Sequence, residues 1–525
     1  MEYRRWAVLG AAVLMSGAAL APAGSAQERG GRELELTLLG RYESGSFDEG
    51  AAEITAYDPG SARAFTVNAE RGTVDVLDLS DPAAPRRVAE LATPGANSVA
   101  VGRGGLVAVA QEAADRTDPG TVSFFRARDA RRLWDVTVGA LPDAVTFTPD
   151  GRRAVVVNEG EPGSYCEADR DDPEGSVSVI TLRGGRQAPQ VRTADFRAFD
   201  DDAEELRAQG VRLFGPGASV AQDLEPEYAA VSADGRTALV TLQENNAVAR
   251  VDLTRARVTE VRALGTQDHS EPGNGLDPSD RDGGARIANW PVRGLYQPDG
   301  IAGFRDRGRQ YYVTANEGDA REWDCYEEEV RVRDLELSPE AFPDAAALQD
   351  NAALGRLTVS ETSPRDGQGR VTELHAFGGR SLSVLDDRGR VVWDSGDALE
   401  RLTAERFPAD FNTDNSENDP DSRSDAKGPE PEGVTVGSVN GRTYAFAGLE
   451  RVGGIVAHDL SDPRNPRLAG YINSRDFAGD PEAGTAGDLG PEGLAFIPAH
   501  DSPNGRALLV VGHETSGTTA VYQVG

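Results

Sequence analysis

Length, composition and charge restrict the classes of protein to which this chain can belong. The chain has 525 residues, with 54 basic and 87 acidic side chains and a formal net charge of −33. This acidity disfavours nucleic acid and anionic membrane surfaces as partners, because both require positive patches, and it favours a soluble protein that attracts hard cations. The length suits several ordinary domains or one large β architecture.

The first element along the chain is a predicted signal peptide over residues 1–26. Arg4 and Arg5 precede an apolar stretch from Trp6 to Leu20, and small residues lead to a cleavage point at Ala26. A run of about 15 apolar residues is short for a membrane span. The mature protein is therefore expected to be exported, without a transmembrane segment.

A repeated unit occupies the rest of the chain. In each copy a polar or acidic residue opens a short alternating strand, a tight turn follows, and a second strand rich in Val and Ala ends on a glutamate before two further strands. Four short strands in each of seven copies are typical of an all-β, seven-bladed β-propeller over residues 33–525. The copies begin at residues 51, 96, 141, 225, 297, 429 and 490.

The ends of the repeat array and its interruptions complete the predicted architecture. The last copy stops at its third strand, and the unassigned strand at 33–42 is predicted to supply the missing outer strand, which removes an exposed edge. The last strand of the fifth copy is displaced to 380–387. Four long insertions interrupt the repeats, over residues 196–224, 265–296, 318–377 and 397–428. Each is either a functional loop or a tolerated surface addition, the first contains a predicted short helix, and the last is predicted to be loop-like.

Carboxylates recur at two positions of the repeat. An innermost propeller strand opens at one face of the central channel, and the second strand returns to that face, so both series are expected to converge on one channel mouth. The strand openings carry Glu53, Asn97, Asp143, Glu227, Asp299, Glu432 and Glu492. The second strands end at Glu70, Glu112, Glu159, Glu244, Glu317, Glu450 and Glu514.

Carboxylates gathered at one mouth either take up protons or bind cations. The candidate internal cations are few, namely Lys427, which is the only lysine, Arg321 and Arg451. A bound hard cation, Ca²⁺ or else Mg²⁺, is therefore predicted, and oxygen ligands suit both. The simpler alternative is that each glutamate accepts hydrogen bonds from a neighbouring blade. The predicted metal ligands are Glu53, Asp143, Glu159, Glu227, Glu244, Glu450, Glu492 and Glu514.

Other cofactors are not expected from this sequence. The five histidines are scattered and form no zinc-binding spacing, so zinc or iron is not expected. We find no P-loop or Rossmann fingerprint for a nucleotide and expect no haem. Cys166 and Cys325 lie at similar offsets in their repeats, and they either form a disulfide in an oxidising compartment or remain thiols.

Eight phrases of the chain carry a family resemblance. They are "AEITAYDP", "VNEGEP", "AQDLEPEY", "NEGDAREW", "EEVRV", "SDAKGPEPEGV", "GLERVGG" and "DLGPEGLAF". These phrases resemble the choice-of-anchor I family of exported bacterial proteins. The resemblance covers nearly the whole mature chain and implies a propeller of the YVTN/LVIVD-like kind, sometimes labelled alkaline phosphatase-like.

The family name refers to varied C-terminal surface anchors. This chain ends at "VYQVG" without a sorting signal, so a secreted or periplasmic protein is expected, with cell-surface association as the alternative.

Two functions follow as hypotheses. The first is an exported propeller, expected to be monomeric, that binds divalent cations and an unknown small ligand at its mouth. The second is a metal-dependent phosphomonoesterase, in which the cations polarise a phosphoester and activate water. In this hypothesis Lys427, Arg321 and Arg451 hold the phosphate, and one of Glu159, Glu317 or Glu432 acts as the base. The residues assigned to catalysis are Lys427, Arg321, Glu317 and Glu432. Those assigned to ligand binding are Arg451, Glu430, Asp319 and Asp299.

Overall fold

Seven four-stranded antiparallel sheets dominate the protein. The computed structural model describes residues 34–165, 171–182, 188–323 and 325–525. The predicted signal peptide lies outside the described residues, as does Cys166, while Cys325 is disulfide-bonded.

The sheets are numbered here in chain order, and each is given from its inner to its outer strand. Sheet 1 consists of Thr55–Asp58, Arg63–Asn68, Thr73–Asp78 and Arg86–Ala92. Sheet 2 consists of Ala96–Gly102, Leu106–Gln111, Pro119–Arg126 and Arg131–Ala140. Sheet 3 consists of Pro142–Phe147, Arg153–Asn158, Ser176–Thr181 and Gln190–Asp195. Sheets 4 and 5 consist of Ala229–Val231, Thr237–Leu242, Ala247–Asp252 and Arg257–Ala263; and Ile301–Asp306, Arg309–Asn316, Ser381–Asp386 and Val391–Asp394. Sheets 6 and 7 consist of Pro431–Val439, Arg442–Leu449, Ile455–Asp459 and Arg467–Ile472; and Pro491–Ile497, Ala507–His513, Thr518–Val524 and Leu36–Glu43.

The sheets follow one another around a closed ring. The innermost strand of each sheet contacts the innermost strand of the next, and that of sheet 7 contacts that of sheet 1. Ring closure by radially arranged four-stranded sheets is the architecture of a β-propeller. The predicted all-β propeller class is confirmed.

Sheet 7 joins two distant parts of the chain. Leu36–Glu43 pairs antiparallel with Thr518–Val524 and forms the outer strand, as the sequence predicted. The displaced strand of the fifth repeat is also confirmed, because Ser381–Asp386 pairs with Arg309–Asn316 across the long insertion.

The second strands form the core between neighbouring sheets. Val155, Val156 and Val157 are consecutive, and all three side chains are fully buried. Both faces of such a strand pack against an adjacent sheet, so its apolar residues are consecutive. A strand with one solvated face would instead alternate apolar and polar residues. Burying each valine contributes about 1.5–3 kcal/mol to the free energy of folding. The buried strand thereby holds the glutamate that follows it in place.

The insertions contain their own secondary structure. The predicted short helix is present as Ala203–Gln209, after a 3-10 helix at Arg197–Asp202 and before a helical turn at Val220–Asp223. The insertion at 397–428, expected to be loop-like, begins with the helix Ala398–Arg406. A 3-10 turn lies at Val332–Asp334 and a helical turn at Ala345–Leu348.

The second and third insertions combine, which the sequence did not predict. They share a five-stranded sheet, which includes a parallel pairing, and the third insertion also forms a small hairpin. The sheet consists of Thr266–Asp268, Arg293–Leu295, His375–Ala376, Thr358–Ser360 and Glu329–Arg331, and the hairpin of Glu322–Trp323 and Tyr326–Glu327.

Candidate cation site at the channel mouth

The inner strands enter the channel through a shared local structure. The residue two positions before the carboxylate has a positive φ in four sheets, and a proline separates the two. These entries are Leu141-Pro142-Asp143, Gln297-Pro298-Asp299, Glu430-Pro431-Glu432 and Gly490-Pro491-Glu492. A positive φ before proline is unfavourable for a side chain other than glycine, and such strain persists only where the surrounding structure enforces it.

A β-bulge at the same point directs the carboxylate. Pairing shifts between Pro142 and Val145 in sheet 3, and between Pro431 and Val434 in sheet 6. Sheet 7 shows the same shift after Pro491. A bulge inserts an extra residue into one strand and re-aims its side chains, so the acidic residue leaves the regular alternation of the strand.

The glycine after the carboxylate explains the repeated Pro-Glu-Gly sequence. A Cβ on Gly433 would lie 1.7 Å from the carbonyl oxygen of Glu492, and a Cβ on Gly493 would lie 2.6 Å from that of Glu53. Gly300 has the same relation to Glu432, at 2.5 Å. Only glycine permits this approach. The openings of sheets 5, 6, 7 and 1 are therefore backbone neighbours around the ring.

Both carboxylate series face the same mouth. The carboxyl of Glu432 is repelled by Glu450, Glu492 and Glu317, and these residues come from three different sheets. Glu227 is likewise repelled by Glu159, Glu244 and Asp143. The two carboxylate series of sheets 3 to 7 therefore lie close to one another at one mouth, as the sequence predicted.

The first two repeats each supply one carboxylate to the mouth instead of two. Glu70 occupies the repeat position of Glu317, but it is exposed and accepts a hydrogen bond from Ser46. At the opening of sheet 2, Asn97 donates to the carbonyl oxygen of Pro142 at 3.5 Å. Glu53 of sheet 1 and Glu112 of sheet 2 remain close enough to act on Asp143 or to be repelled by it.

Burial and mutual repulsion raise the pKa values of the lining carboxyls. Burial, with repulsion from Glu514 and Asp143, raises the pKa of Glu53 to about 8. Burial, with repulsion from Glu161 and Glu112, raises the pKa of Asp143 to about 7. The same causes raise the pKa values of the remaining predicted metal ligands above their ordinary range, namely Glu159, Glu227, Glu244, Glu450, Glu492 and Glu514.

One trio of carboxylates is close enough to share a metal ion. Oxygen atoms of Asp299, Glu317 and Glu432 all lie within 4.8 Å of one another. Glu432 Oε2 is buried without a hydrogen-bond partner among the described residues, and no arginine or lysine of those residues lies within 4.0 Å of Asp299 or Glu432. Glu317 Oε2 accepts a hydrogen bond from Gln243 at 3.0 Å. We call these three residues the open trio.

A second trio shares Glu317 but is filled by side-chain cations. Glu317, Glu430 and Glu450 also place oxygens within 4.8 Å of one another. Lys427 Nζ lies 2.8 Å from Glu317 Oε1 and 3.6 Å from Glu430 Oε2. Arg451 lies 3.0 Å from Glu430 and 3.1 Å from Glu450. We call this group the closed trio.

The closed trio is electrostatically stable because cations surround Glu430. Arg423 Nε lies 2.8 Å from Glu430 Oε1, so Glu430 contacts three cationic side chains. Burial alone would raise the pKa of Glu430, but attraction to Lys427, Arg423 and Arg451 outweighs it and lowers the pKa to about 2. Burial disfavours the charged form of Lys427, yet Glu317 and Glu430 raise its pKa well above the ordinary value.

A buried arginine holds the loop that carries Lys427. Arg380 donates to Glu400 Oε1 at 2.5 Å and to the carbonyl oxygens of Ser424 and Ala426 at 2.9 and 2.7 Å. Its guanidinium is almost fully buried, and Glu400 is fully buried. Because a paired buried charge is costly to separate, this contact fixes the position of the lysine at the mouth.

Arg321 occupies a different environment from the one expected of a ligand-binding cation. It is buried, forms ion pairs with Asp223 and with Glu225, the latter at 2.6 Å, and lies 4.6 Å from the ring centroid of Phe214. Asp319, by contrast, is exposed and lies 3.6 Å from Lys427. Lys427 and Arg451 thus lie at the trios, whereas Arg321 neutralises carboxylates beside them.

Sequence reasoning missed several lining residues. Glu161 and Glu225 each lie two positions from a predicted carboxylate, and a search for acidic pairs at that spacing would have found both. Arg423 and Gln243 carried no comparable signal, because their contacts with Glu430 and Glu317 join distant parts of the chain.

The fold and the mouth together define a class of protein: a β-propeller whose channel mouth is lined with buried carboxylates. The chain belongs to the choice-of-anchor I domain family, whose model matches residues 53–463. This membership indicates an extracellular or cell-surface protein. Among the described residues, no helix has the length and apolar character needed to cross a bilayer.

Curated relatives and solved structures also resemble this chain. It is 32% identical to Gigasin-3a of Magallana gigas over 34% of this chain and 67% of that protein. It is 30% identical to a mesenchyme-specific cell surface glycoprotein of Strongylocentrotus purpuratus over 35% of this chain, which spans only 28% of that protein. Kuenenia stuttgartiensis hydrazine synthase matches 92% of this chain and 99% of its own with a TM-score of 0.48 at 14% identity. A streptogramin B lyase structure matches 94% and 98% with a TM-score of 0.47 at 8% identity.

Proposed function

We propose that the protein is an exported propeller that binds one divalent cation, Ca²⁺ in preference to Mg²⁺, in the open trio. The three carboxylates place oxygens within 4.8 Å of one another, and one of their oxygens is buried without a partner in the described residues. Oxygen-only ligands and an irregular shape suit Ca²⁺ better than the strict octahedron of Mg²⁺. The observation that carries the proposal is that, in the part of the chain that the structure describes, no arginine or lysine lies within 4.0 Å of Asp299 or Glu432.

Charge balance supports a single ion. The open and closed trios together contain five carboxylates, and the described cations in contact with them are Lys427, Arg423 and Arg451. Five negative charges and three positive charges leave two uncompensated negative charges. One divalent cation neutralises that remainder, whereas otherwise the trios must take up protons.

Calcium titration of the ion-free protein tests this proposal. We expect chelator-treated wild-type protein to bind about one equivalent of Ca²⁺ by calorimetry, with proton release near neutral pH, because the ion displaces protons from raised-pKa carboxyls. Glu432→Gln should weaken binding by about tenfold or more, since it removes a charged ligand without changing side-chain size. Glu70→Gln is the matched control, because Glu70 has the repeat position of Glu317 but lies exposed. Equal binding by wild type and Glu432→Gln, or none by wild type, would contradict the proposal.

The phosphomonoesterase hypothesis remains a prediction with less geometric support. It assigns phosphate binding to Lys427, Arg321 and Arg451, and each of these is already paired with carboxylates. A phosphate group would have to displace those partners. The cation-binding proposal needs no such rearrangement.

A further inference from the structure

The opposite face of the ring carries a groove of contrasting charge. It lies between sheets 4 and 5, at the turns that connect their inner two strands, and so at the other end of these strands from the acidic mouth. Its volume is about 700 Å³, which is the size of a small-molecule site. Six arginines line it, contributed by sheets 4 and 5 and by a turn of sheet 6: Arg236, Arg250, Arg305, Arg309, Arg390 and Arg464.

Most of these arginines lack an acidic partner. Among the described residues, only Arg390 of the six has a carboxylate within 4.0 Å, and that carboxylate belongs to Asp386. The other acids of the groove are Asp234 and Asp387. Asp234 accepts local hydrogen bonds from Ser232 and from the backbone of Arg236, and the charges of Arg236 and Arg305 act on its carboxyl from beyond 4.0 Å. In a chain with a net charge of −33, a groove with a surplus of unpaired arginines is a local reversal of charge.

Arg250 gives the groove its depth. It projects from the third strand of sheet 4 and is half-buried, unlike the exposed Arg236 and Arg309 at the rim. It lies near the buried ring of Tyr312, whose hydroxyl pKa its charge lowers against the larger effect of burial. Its cross-strand neighbour Glu260 is ion-paired with Arg262 instead, and no carboxylate of the described residues lies within 4.0 Å of the Arg250 guanidinium. A partly desolvated guanidinium in this situation favours an anion from solution.

We propose that this groove binds a small molecule bearing a tetrahedral oxyanion, namely a phosphate or sulfate ester of a sugar-sized polar body. The planar guanidinium matches phosphate and sulfate oxygens in bidentate geometry, and several guanidiniums from different sheets can surround one such group. The remaining volume and the polar rim accommodate the body that carries the ester. This proposal does not depend on cation binding at the mouth.

Calorimetry with four probes tests it: a hexose phosphate, a hexose sulfate, inorganic phosphate and the neutral hexose. Wild-type protein at low ionic strength is expected to bind both esters and not the neutral hexose. Tight binding of inorganic phosphate alone would support the oxyanion site and assign it to the free ion. Binding of the neutral hexose as tightly as its esters, or of no probe at all, would overturn the proposal.

Matched double variants separate a defined site from general charge. Arg250→Gln with Arg309→Gln should weaken ester binding by about tenfold or more. Arg103→Gln with Arg128→Gln removes the same charge from exposed residues of the groove between sheets 1 and 2, and should leave binding unchanged. Equal losses in both pairs would overturn the site. Arg309→Gln alone changes an exposed side chain and serves as the variant whose folding is not at risk.

Discussion

Lys427 is the cationic occupant of a position that would otherwise suit a metal ion. Its ammonium contacts Glu317 and Glu430, two of the three carboxylates in the closed trio. The closed and open trios share Glu317, so the lysine also limits how much charge that carboxylate can offer to an ion.

Replacing this lysine should change the affinity for the ion. We expect Lys427→Met to tighten Ca²⁺ binding in the open trio by about tenfold, because Glu317 no longer shares its charge with the ammonium, while Arg423 and Arg451 still neutralise Glu430 and Glu450. Calorimetric titration of the chelator-treated variant measures this. Arg128→Met removes one exposed positive charge elsewhere and should keep the wild-type affinity. Equal or weaker Ca²⁺ binding by Lys427→Met would show that the ammonium does not compete with the ion for Glu317.

Residue roles were partly predictable from sequence. Repetition placed Asp299, Glu317 and Glu432 on a common mouth, since equivalent positions of a closed repeat array must lie on a common ring. Repetition says nothing about residues outside the repeat. The sequence assigned Arg321 to catalysis but did not predict its ion pair with Asp223, because the helical turn containing Asp223 comes from an insertion whose position no periodicity fixes.

At the scale of the element, the strand entry combines a left-handed residue, a proline, a carboxylate and a glycine. The left-handed residue turns the chain, the bulge aims the carboxylate, and the glycine admits the neighbouring carbonyl. The repeated Pro-Glu-Gly of the sequence marks this element but does not show why the glycine is required. The carbonyl group that approaches the glycine belongs to another repeat.

A side chain at this glycine should break the packing of neighbouring entries. Gly433→Ala is expected to lower the free energy of unfolding by about 2 kcal/mol or more, because its Cβ would meet the backbone of Glu492 at 1.7 Å. Denaturant unfolding measures the change. Gly367→Ala is the control, since a Cβ there meets nothing within 4 Å and its φ is not positive. Equal unfolding free energies for the two variants would contradict this role.

The five-stranded sheet shows where element prediction fails. Its strands are two or three residues long and come from two insertions, and one pairing joins Arg293–Leu295 to His375–Ala376 in parallel. Strands this short carry almost no alternation signal. Their pairing is set by long-range packing around Leu374 and Val359, which are both fully buried.

For the whole molecule, the gathered carboxyls make stability depend on pH in the absence of metal. Folding raises the pKa of Asp143 to about 7 and that of Glu53 to about 8, so between about pH 4.5 and about pH 8 the folded state binds more protons than the unfolded chain. The resulting stabilisation is full below that interval and is lost as pH rises through it.

Thermal unfolding at two pH values tests this dependence. In chelator, Tm should be a few degrees lower near about pH 8 than near about pH 5. Saturating Ca²⁺ should restore Tm at the higher pH, because binding to the folded state stabilises it and replaces the protons as counter-charge. A chelated protein whose Tm is the same or higher at the alkaline value would contradict the predicted burial of the carboxyls.

Sheet 7 also determines when the ring can close during biosynthesis. Its outer strand, Leu36–Glu43, is among the first described residues to be made, and its partner, Thr518–Val524, is among the last. The outer strand therefore remains unpaired during almost the whole of translation. Closure therefore waits for the end of synthesis, and nearly five hundred residues must be kept from aggregating until the last strand of sheet 7 is made.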